Sequence, residues 1–532
     1  MVVTFATVGF ESLGISQLSA ILKREGHEVH LAFSVSLFHD RDHLHVPFLA
    51  RMFDDRQRVI DKIRETQPDV LAFSVLTATY QWALSIAREA KSLRPGVKVI
   101  FGGVHPSALP DRVIDQPEVD IVVIGEADLA FPRICAALEN GGLTGQEISN
   151  TLYKLPDGTR VRGPQDGFVM DLDSLPHYDK AIWEEYVPQH DSYLTMASRG
   201  CPYRCTFCFN SFFANLPGDK KTGYIRQRSV DHVMEELRVV KARYRPRLIR
   251  FYDDVFIINK PWLKEFCERY GEEIGLPFQV EIHANYMSED IARMLAEAGC
   301  VQVDLGVQSA NESFKRRVVK RSEKNDKVAE SIAWLKKYHI HVRAHHLFGL
   351  PGEPLESQEM ARQLFLRSTP GMIDTYFVMF YPGTEIVGQA LASGRITAAD
   401  VEKMNDGLEL TVFLRPNRTI QPEHLPIYRG YQVVLKLMPQ VPAWLRPHLD
   451  PKFFSKAPPF VSNLALFCAD VVFSLGRLSV SHILYAKYNL YHIWRHICER
   501  MGWPVRGATR IRIDRRFPPT VAPPKALGLN RQ

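Results

Sequence analysis

Cys201, Cys205 and Cys208 fall within eight residues, spaced C-x3-C-x2-C in Ser198-Arg-Gly-Cys-Pro-Tyr-Arg-Cys-Thr-Phe-Cys-Phe-Asn210. Thiolates are soft ligands, and one short loop can aim three of them at a single soft metal centre. Structural zinc sites usually close with four ligands, often as two separated pairs. Here there is no second pair, because Cys135, Cys267, Cys300, Cys468 and Cys498 are scattered singly. Three thiolates on a four-iron cluster would instead leave one iron open to a cofactor or substrate. An apolar run, Tyr193 to Ser198, leads into the loop, and Gly200 frees the backbone to turn.

The rest of the chain must position this loop. Its 532 residues suggest three or four domains. Hydrophobic content of 45% and charged content of 24% are those of an ordinary globular protein with ample core. The net charge of +6 is spread along the chain and does not argue for nucleic acid. Eight cysteines, three of them in one loop, do not make a disulfide framework, which favours a reducing, cytoplasmic compartment. Met1-Val-Val-Thr-Phe-Ala-Thr7 has neither a basic n-region nor a cleavable apolar run, so no signal peptide is expected.

Residues 1–145 alternate strand and helix. Strands are expected at Val2–Thr7, His27–Phe33, Asp69–Val75, Val97–Phe101 and Ile121–Ile124, with helices at Ser16–Glu25 and Tyr80–Leu93 and a long helical region before Asp69. Near-continuous apolar strands imply a doubly wound parallel sheet covered on both faces. Ligands of such sheets sit beyond the C-terminal strand ends. Ser74, Gly102, Gly103, Gly125 and Glu126 cluster there. Residues 146–192, with a hairpin turn at Leu155-Pro-Asp-Gly158, read as a linker strapped across the domains.

Residues 193–400 repeat strand and helix six times. The strands after the first are expected at Leu248–Tyr252, Gln279–His283, Val301–Gly306, Val342–Phe348 and Thr375–Phe380. Ser229 is placed to cap one helix, with Val230, Val233, Met234 and Leu237 on its apolar face, and Gly299 to end another. Right-handed crossovers then build a curved parallel sheet whose chemistry lies at the C-terminal strand ends.

These pieces, in this order, resemble the radical S-adenosylmethionine (radical SAM) enzymes, whose fingerprint is C-x3-C-x2-C with an aromatic, here Phe207, before the last cysteine. Asp253-Asp254-Val-Phe256 stands where that family puts a loop touching the methionine amino group; the residue types alone also allow helix capping before Asn259 and Pro261. Gly306-Val-Gln308-Ser309 stands where relatives often carry Gly-x-Glu-Ser, with Gln308 keeping the hydrogen bonding but not the charge. Phe348-Gly349-Leu-Pro-Gly352-Glu353 matches the G-L-P-G-E turn that packs on adenine, and Tyr381-Pro-Gly-Thr384 the P-G-T after the sixth strand. The resemblance implies a partial six-stranded barrel, a 4Fe-4S cluster on Cys201, Cys205 and Cys208, and S-adenosylmethionine contacts from Phe207, Asp254, Gln308, Ser309, Gly349 and Gly352.

Residues 1–145 are similar to the cobalamin-binding domain that precedes many radical SAM cores. The matching pieces are Leu13-Gly14-Ile15, Gly26-His-Glu-Val29, Gly102-Gly103-Val-His-Pro106 and Val123-Ile-Gly-Glu126. Implied cobalamin contacts are Gly14, Ser74, Gly102, Gly103, Gly125 and Glu126. Cobalamin mutases carry D-x-H-x-x-G after the first strand, but Gly9-Phe-Glu-Ser-Leu-Gly14 has no histidine to ligate cobalt from below. His105 reads as a loop residue. The resemblance implies an electron from a flavodoxin or ferredoxin, reductive cleavage of S-adenosylmethionine, hydrogen abstraction from an unactivated carbon, and methyl delivery from methylcobalamin. C- or P-methylation is the commonest outcome of that group. Ring formation or oxygen insertion, as in anaerobic magnesium-protoporphyrin ester cyclases, and a non-enzymatic cobalamin sensor or carrier with a structural metal are the other readings.

Residues 401–532 carry no family motif. Helices are expected at Ile427–Leu437 and Leu475–Met501, with a further buried one in the apolar stretch Val461–Leu475. From Arg506 onward seven Lys or Arg stand against one Asp, among four prolines, a basic and loosely ordered tail. A small-molecule or lipid-like substrate and weak contact with a membrane surface are expected, and no nucleic acid.

Overall fold

A computed structural model describes residues 1–37, 39–40, 44–45, 47–216, 223–408, 422–469, 480–505 and 507. The basic tail expected beyond Arg506 lies outside the described residues, Gly507 excepted.

The first sheet runs β1 (Val2–Val8), β2 (Glu28–Ser34), β3 (Val70–Ser74), β4 (Lys98–Gly102), β5 (Ile121–Val123), β6 (Thr151–Lys154) and β7 (Arg160–Arg162), in spatial order β2-β1-β3-β4-β5-β6-β7. The first five strands pair in parallel, with Val2 opposite Glu28 and Ser74 opposite Gly102. Alternation splits their side chains between two buried layers: Val3, Phe5, Val70 and Ala72 on one face, Ala6, Leu71 and Phe73 on the other. Both faces are therefore covered, as the unbroken apolar runs require. The hairpin β6–β7 adds antiparallel to β5, so this sheet extends past residue 145 into the segment read as linker. The remainder of that segment is a strap on the first helix, Leu13–Arg24. Trp183 Nε1 donates to Ser16 Oγ (2.9 Å), Gln17 Nε2 to the Pro176 carbonyl (2.8 Å), and Lys180 pairs with Glu11 (2.6 Å).

The second sheet is the six-stranded partial barrel: β8 (Tyr193–Thr195), β9 (Ile249–Phe251), β10 (Phe278–Ile282), β11 (Cys300–Gln308), β12 (His341–Phe348) and β13 (Met372–Phe377), all parallel and in chain order. Its outward residues, among them Ile249, Val280, Val303, Val342 and Ile373, pack on the surrounding helices as the main core. Ser229 caps Val230–Arg243 through the His232 amide, and Gly299 ends Glu289–Ala298 in the left-handed region. The sixth strand begins at Met372, three residues ahead of the expected Thr375. Asp374 reads as loop by composition, yet it points inward and binds Arg343.

The helix Val480–Arg500 lies against the first domain and the strap. Lys487 pairs with Asp191 (2.5 Å), His492 Nε2 contacts the Tyr186 carbonyl (2.9 Å), and Arg495 pairs with Glu185 (2.5 Å). Its far side exposes Leu490, Trp494 and Ile497, with Met501 just beyond. Of the apolar stretch 461–475, residues up to Phe467 continue a helix that starts at Pro459, with Leu464 exposed; 470–479 lie outside the described residues. Among the described residues no helix is long and apolar enough to cross a membrane.

Candidate active site

The cysteine loop leaves β8 through the two-residue strand Ser198–Arg199, which pairs antiparallel with Arg226–Gln227. Gly200 then turns at φ +92°, against the Tyr224 carbonyl. The loop is pinned from the other side, where the Thr206 amide and Oγ1 donate to the Val319 (3.2 Å) and Val318 (2.9 Å) carbonyls. Burial pushes Cys201 up to about 11 and Cys208 up to about 12, and Cys205 upward as well. Smaller upward effects come from the cysteines on one another and from Asp254, so the three thiols and that carboxylate share one enclosure. Buried thiols become thiolates only beside a compensating cation. Among the described residues no three His, Cys, Asp or Glu close around a single metal ion. A multi-iron cluster, which takes each thiolate on a separate iron, fits this donor set better than one zinc ion.

Asp253 and Asp254 end β9 but do different work. Asp253 accepts from the Ala197 amide (3.1 Å) and Ser198 Oγ (2.5 Å), tying β9 to the strand ahead of Cys201; burial pushes it up to about 6. Asp254 accepts from Asn210 Nδ2 (2.6 Å), and Asn210 in turn accepts from the Tyr224 hydroxyl. Neither caps the next helix, whose N-cap is Asn259. At the end of β11, Gln308 sits in the left-handed region (φ +64°) beside a register shift between Gly306 and Gln308. Ser309 Oγ donates to Glu353 Oε1 (2.6 Å), Gln358 Nε2 to Glu353 Oε2 (3.1 Å), and Gln358 Oε1 meets buried His346 Nε2 (3.0 Å). Gly349 and Gly352, both at φ +74°, let the 348–353 turn fold over that network. Phe207 packs beside Leu347, Leu350 and Phe380. The residues expected to touch S-adenosylmethionine thus fall in the loop after β8 and at the C-terminal ends of β9, β11 and β12, on one barrel rim.

Burial pushes the Glu353 carboxyl up to about 8, its hydrogen bonds from Ser309 and Gln358 opposing. A carboxyl raised above its ordinary 4.5 stabilises the fold fully below that pH, and the contribution is lost as pH rises through about 8. Thermal unfolding of the cofactor-free protein should show Tm falling with pH across that window. The fall should be shallower in Glu353→Gln, and identical pH profiles for the two proteins would contradict the assignment.

On the first sheet, Ser74 and Gly102 end adjacent strands in register. Gly103 turns at φ +101°, and a Cβ there would lie 3.0 Å from the Val75 backbone N and O. The Gly125 amide donates to Ser107 Oγ (2.9 Å), and Gly14 lies in the first turn of the helix after β1. Phe10 and Leu76, on the loops after β1 and β3, are 61% and 53% exposed. His105 lies not in a loop but in the short helix Val104–Ala108, buried against Tyr80 and bonded to Thr77 Oγ1 (3.1 Å); burial lowers it to about 4.

Glu126, one of the residues expected at the cobalamin face, is engaged by two arginines. Its carboxylate is held bidentately by Arg226 (2.7 and 2.8 Å), while Arg199 reaches it at 3.4 Å and binds Asp128 (2.9 Å). These arginines sit on the strand pair that carries the cysteine loop, so the clasp joins the two sheets at their C-terminal edges. The Tyr381–Thr384 turn closes a second contact, since a Cβ on Gly383 would meet Phe212 (3.2 Å) and Ala108 (3.4 Å). Arg199, Arg226 and Asp128 were not signalled by any local motif, because their partners lie 71 to 100 residues away.

Residues 196–364 match the family model of the radical SAM superfamily, and residues 2–135 that of the B12 binding domain. An uncharacterised methyltransferase of Pyrococcus horikoshii is 26% identical over 360 residues, covering 66% of this chain and 75% of the relative. The anaerobic magnesium-protoporphyrin IX monomethyl ester cyclase of Rubrivivax gelatinosus is 23% identical over 373 residues, covering 68% of this chain and 65% of the relative. Among solved structures, the cobalamin-dependent S-adenosylmethionine radical enzyme OxsB, with aqua-cobalamin and S-adenosylmethionine bound, superposes with a TM-score of 0.62 at 16% identity, covering 95% of this chain and 84% of that one. At that identity the likeness carries the fold.

Proposed function

Because the chain belongs to the cobalamin-binding radical SAM enzymes, we propose that it transfers a methyl group to an unactivated carbon or phosphorus of a small-molecule substrate. The observation that carries this reading is the clasp of Glu126 with Arg226 and Arg199, which supports a reaction chamber closed between the cobalamin face and the cysteine loop. When bound, the 4Fe-4S cluster, S-adenosylmethionine and cobalamin supply the radical chemistry and the methyl group. The chain's own part is to bind and orient them. Cys201, Cys205 and Cys208 would hold the cluster; Asp254, Gln308, Ser309 and the Gly349–Gly352 turn would hold S-adenosylmethionine. Gly14, Ser74, Gly102, Gly103 and Gly125 would give cobalamin close approach to the strand ends, and the meeting of the two rims would keep water out.

Methylation is favoured over cyclisation by the higher identity to the methyltransferase-named relative and the larger share of it that is matched. An external reductant of flavodoxin or ferredoxin type is the proposed electron donor. The test is anaerobic turnover of reconstituted holoenzyme with a reductant and S-adenosylmethionine. Formation of 5′-deoxyadenosine is expected, and a cell-extract product heavier by one CH2 marks methylation. Loss of hydrogen or gain of oxygen would mark cyclase-type chemistry, and no S-adenosylmethionine cleavage would leave a cobalamin carrier.

A further inference from the structure

Barrel interiors are ordinarily filled by Val, Ile and Leu. Here the apolar residues of β9–β13 face outward, into the helices, and the inward positions carry charge. Arg343 on β12 bridges two carboxylates, Asp304 of β11 (3.5 Å) and Asp374 of β13. A third acid, Glu281, stands on β10 directly beside Asp304 in the strand register. The Glu281 backbone carbonyl accepts from the Phe256 amide (2.9 Å), but its carboxyl group has no hydrogen bond or ion pair among the described residues, and the guanidinium of Arg250 on the neighbouring β9 forms no ion pair with it. Burial raises the Glu281 carboxyl, Asp304 beside it raises it further, and Arg343 and Arg250 only partly oppose them. Three acids thus face two guanidinium groups, one of which is already shared by two of the acids.

A second and independent feature points to a guest. Gln279, on the same inward face of β10 two residues before Glu281, is 3% exposed, and its Oε1 has no hydrogen-bond partner. A buried acceptor left empty costs about 1–3 kcal/mol unless a ligand or water fills it. Glu281 also lies close enough to Asp254 to feel its charge, so it faces the rim where S-adenosylmethionine is assigned.

We propose that the barrel lumen seats a cationic nitrogen of the substrate, an ammonium or guanidinium, on the Glu281 carboxylate, with Gln279 Oε1 as a second acceptor one layer deeper. This rests on the radical SAM reading of the same barrel and adds the class of substrate that reading leaves open. A cation there restores the balance of charge in the lumen and fills both acceptors. An anionic group would offer Glu281 and Gln279 Oε1 no donor and would press against the Glu281 carboxyl, and a purely apolar one would leave both acceptors empty.

The test uses holoenzyme carrying cluster and cobalamin, with S-adenosylhomocysteine filling the S-adenosylmethionine site, and agmatine as the probe in equilibrium dialysis. Saturable one-to-one binding is expected. It should weaken about tenfold or more in Glu281→Gln, the size of one charge-assisted hydrogen bond, and be largely restored in Glu281→Asp. The neutral isostere 1,5-pentanediol and the anion glutarate should bind at least about tenfold more weakly than agmatine. Unchanged affinity in Glu281→Gln, equal binding of either control, or no agmatine binding by the native protein would overturn the proposal. If Glu281→Gln does not fold, Gln279→Leu takes its place, and unchanged agmatine affinity there counts equally against it. Formation of 5′-deoxyadenosine by the same preparations is scored separately. A protein that cleaves S-adenosylmethionine but ignores agmatine loses only this proposal, whereas one that binds agmatine but never cleaves S-adenosylmethionine loses the radical reading.

Discussion

Replacing any one of Cys201, Cys205 or Cys208 by Ala is expected to abolish S-adenosylmethionine cleavage and to lower the iron content of anaerobically reconstituted protein from about four per chain to below about one. The same change at Cys135, Cys267, Cys300, Cys468 or Cys498 should leave both unaltered. The contrast is physical. Cys135, Cys267 and Cys300 are buried on the apolar side of a helix or strand, as members of apolar cores. The loop thiols are buried beside one another and beside Asp254, where burial keeps them protonated until a cation arrives. Removing one leaves two ligands and an uncompensated gap, and assembly should fail rather than weaken. Iron and labile sulfide analysis with 5′-deoxyadenosine quantification reads both outcomes. Full activity of a zinc-loaded protein would contradict the cluster assignment.

Which features were legible in advance follows from how local their causes are. The cysteine spacing, the 348–353 turn and the glycines at strand ends are written in consecutive residues, and the structure places them on the two rims where chemistry was expected. The parallel first sheet was legible because both of its faces are buried and its strands are continuously apolar. What was not legible depends on distant partners. The clasp on Glu126 was not legible because Arg226 arrives 100 residues later, on another domain. The start of β13 was missed because Asp374 breaks the apolar run, and only Arg343 on the neighbouring strand explains a buried acid there. The hairpin at 151–162 read as linker because its pairing partner, β5, precedes it by some 30 residues. The charged lumen had a signal that went unread: Gln-Val-Glu-Ile-His at 279–283 and Gln-Val-Asp-Leu-Gly at 302–306 alternate polar and apolar with period two. In a fully filled parallel barrel those polar positions would be Val or Leu, so the alternation itself marks an interior that holds something polar.

The clasp and the charged lumen give the two sheets a common logic. The first sheet is covered by apolar packing on both faces and the barrel on its outer face, and the arginines of the strand pair at the cysteine loop fasten rim to rim. The narrowest point of that arrangement is Gly200, and Gly200→Ala is expected to act almost as severely as loss of a cysteine. The residue holds φ +92°, a region that costs a non-glycine residue about 1–2 kcal/mol by itself. A Cβ there would also stand 2.2 Å from the Tyr224 carbonyl oxygen and 2.9 Å from its carbon. That neighbour is backbone and cannot rotate away. It adjoins the strand Arg226–Gln227, whose arginine grips Glu126, and the Tyr224 hydroxyl donates to Asn210, which anchors Asp254. Accommodating one methyl group must therefore shift the cysteine loop, the clasp or both. The expected result is iron content reduced at least about fivefold and S-adenosylmethionine cleavage reduced about a hundredfold, since misplacement of about 1 Å costs rates of that order. The first sheet and the barrel core do not depend on this turn, so far-ultraviolet circular dichroism should be unchanged. Gly96→Ala is the matched control, because nothing lies within 4 Å of the Cβ it would add. Normal iron loading in Gly200→Ala would show that the loop can move without the clasp, and the coupling between the two rims argued from Tyr224 would then be wrong.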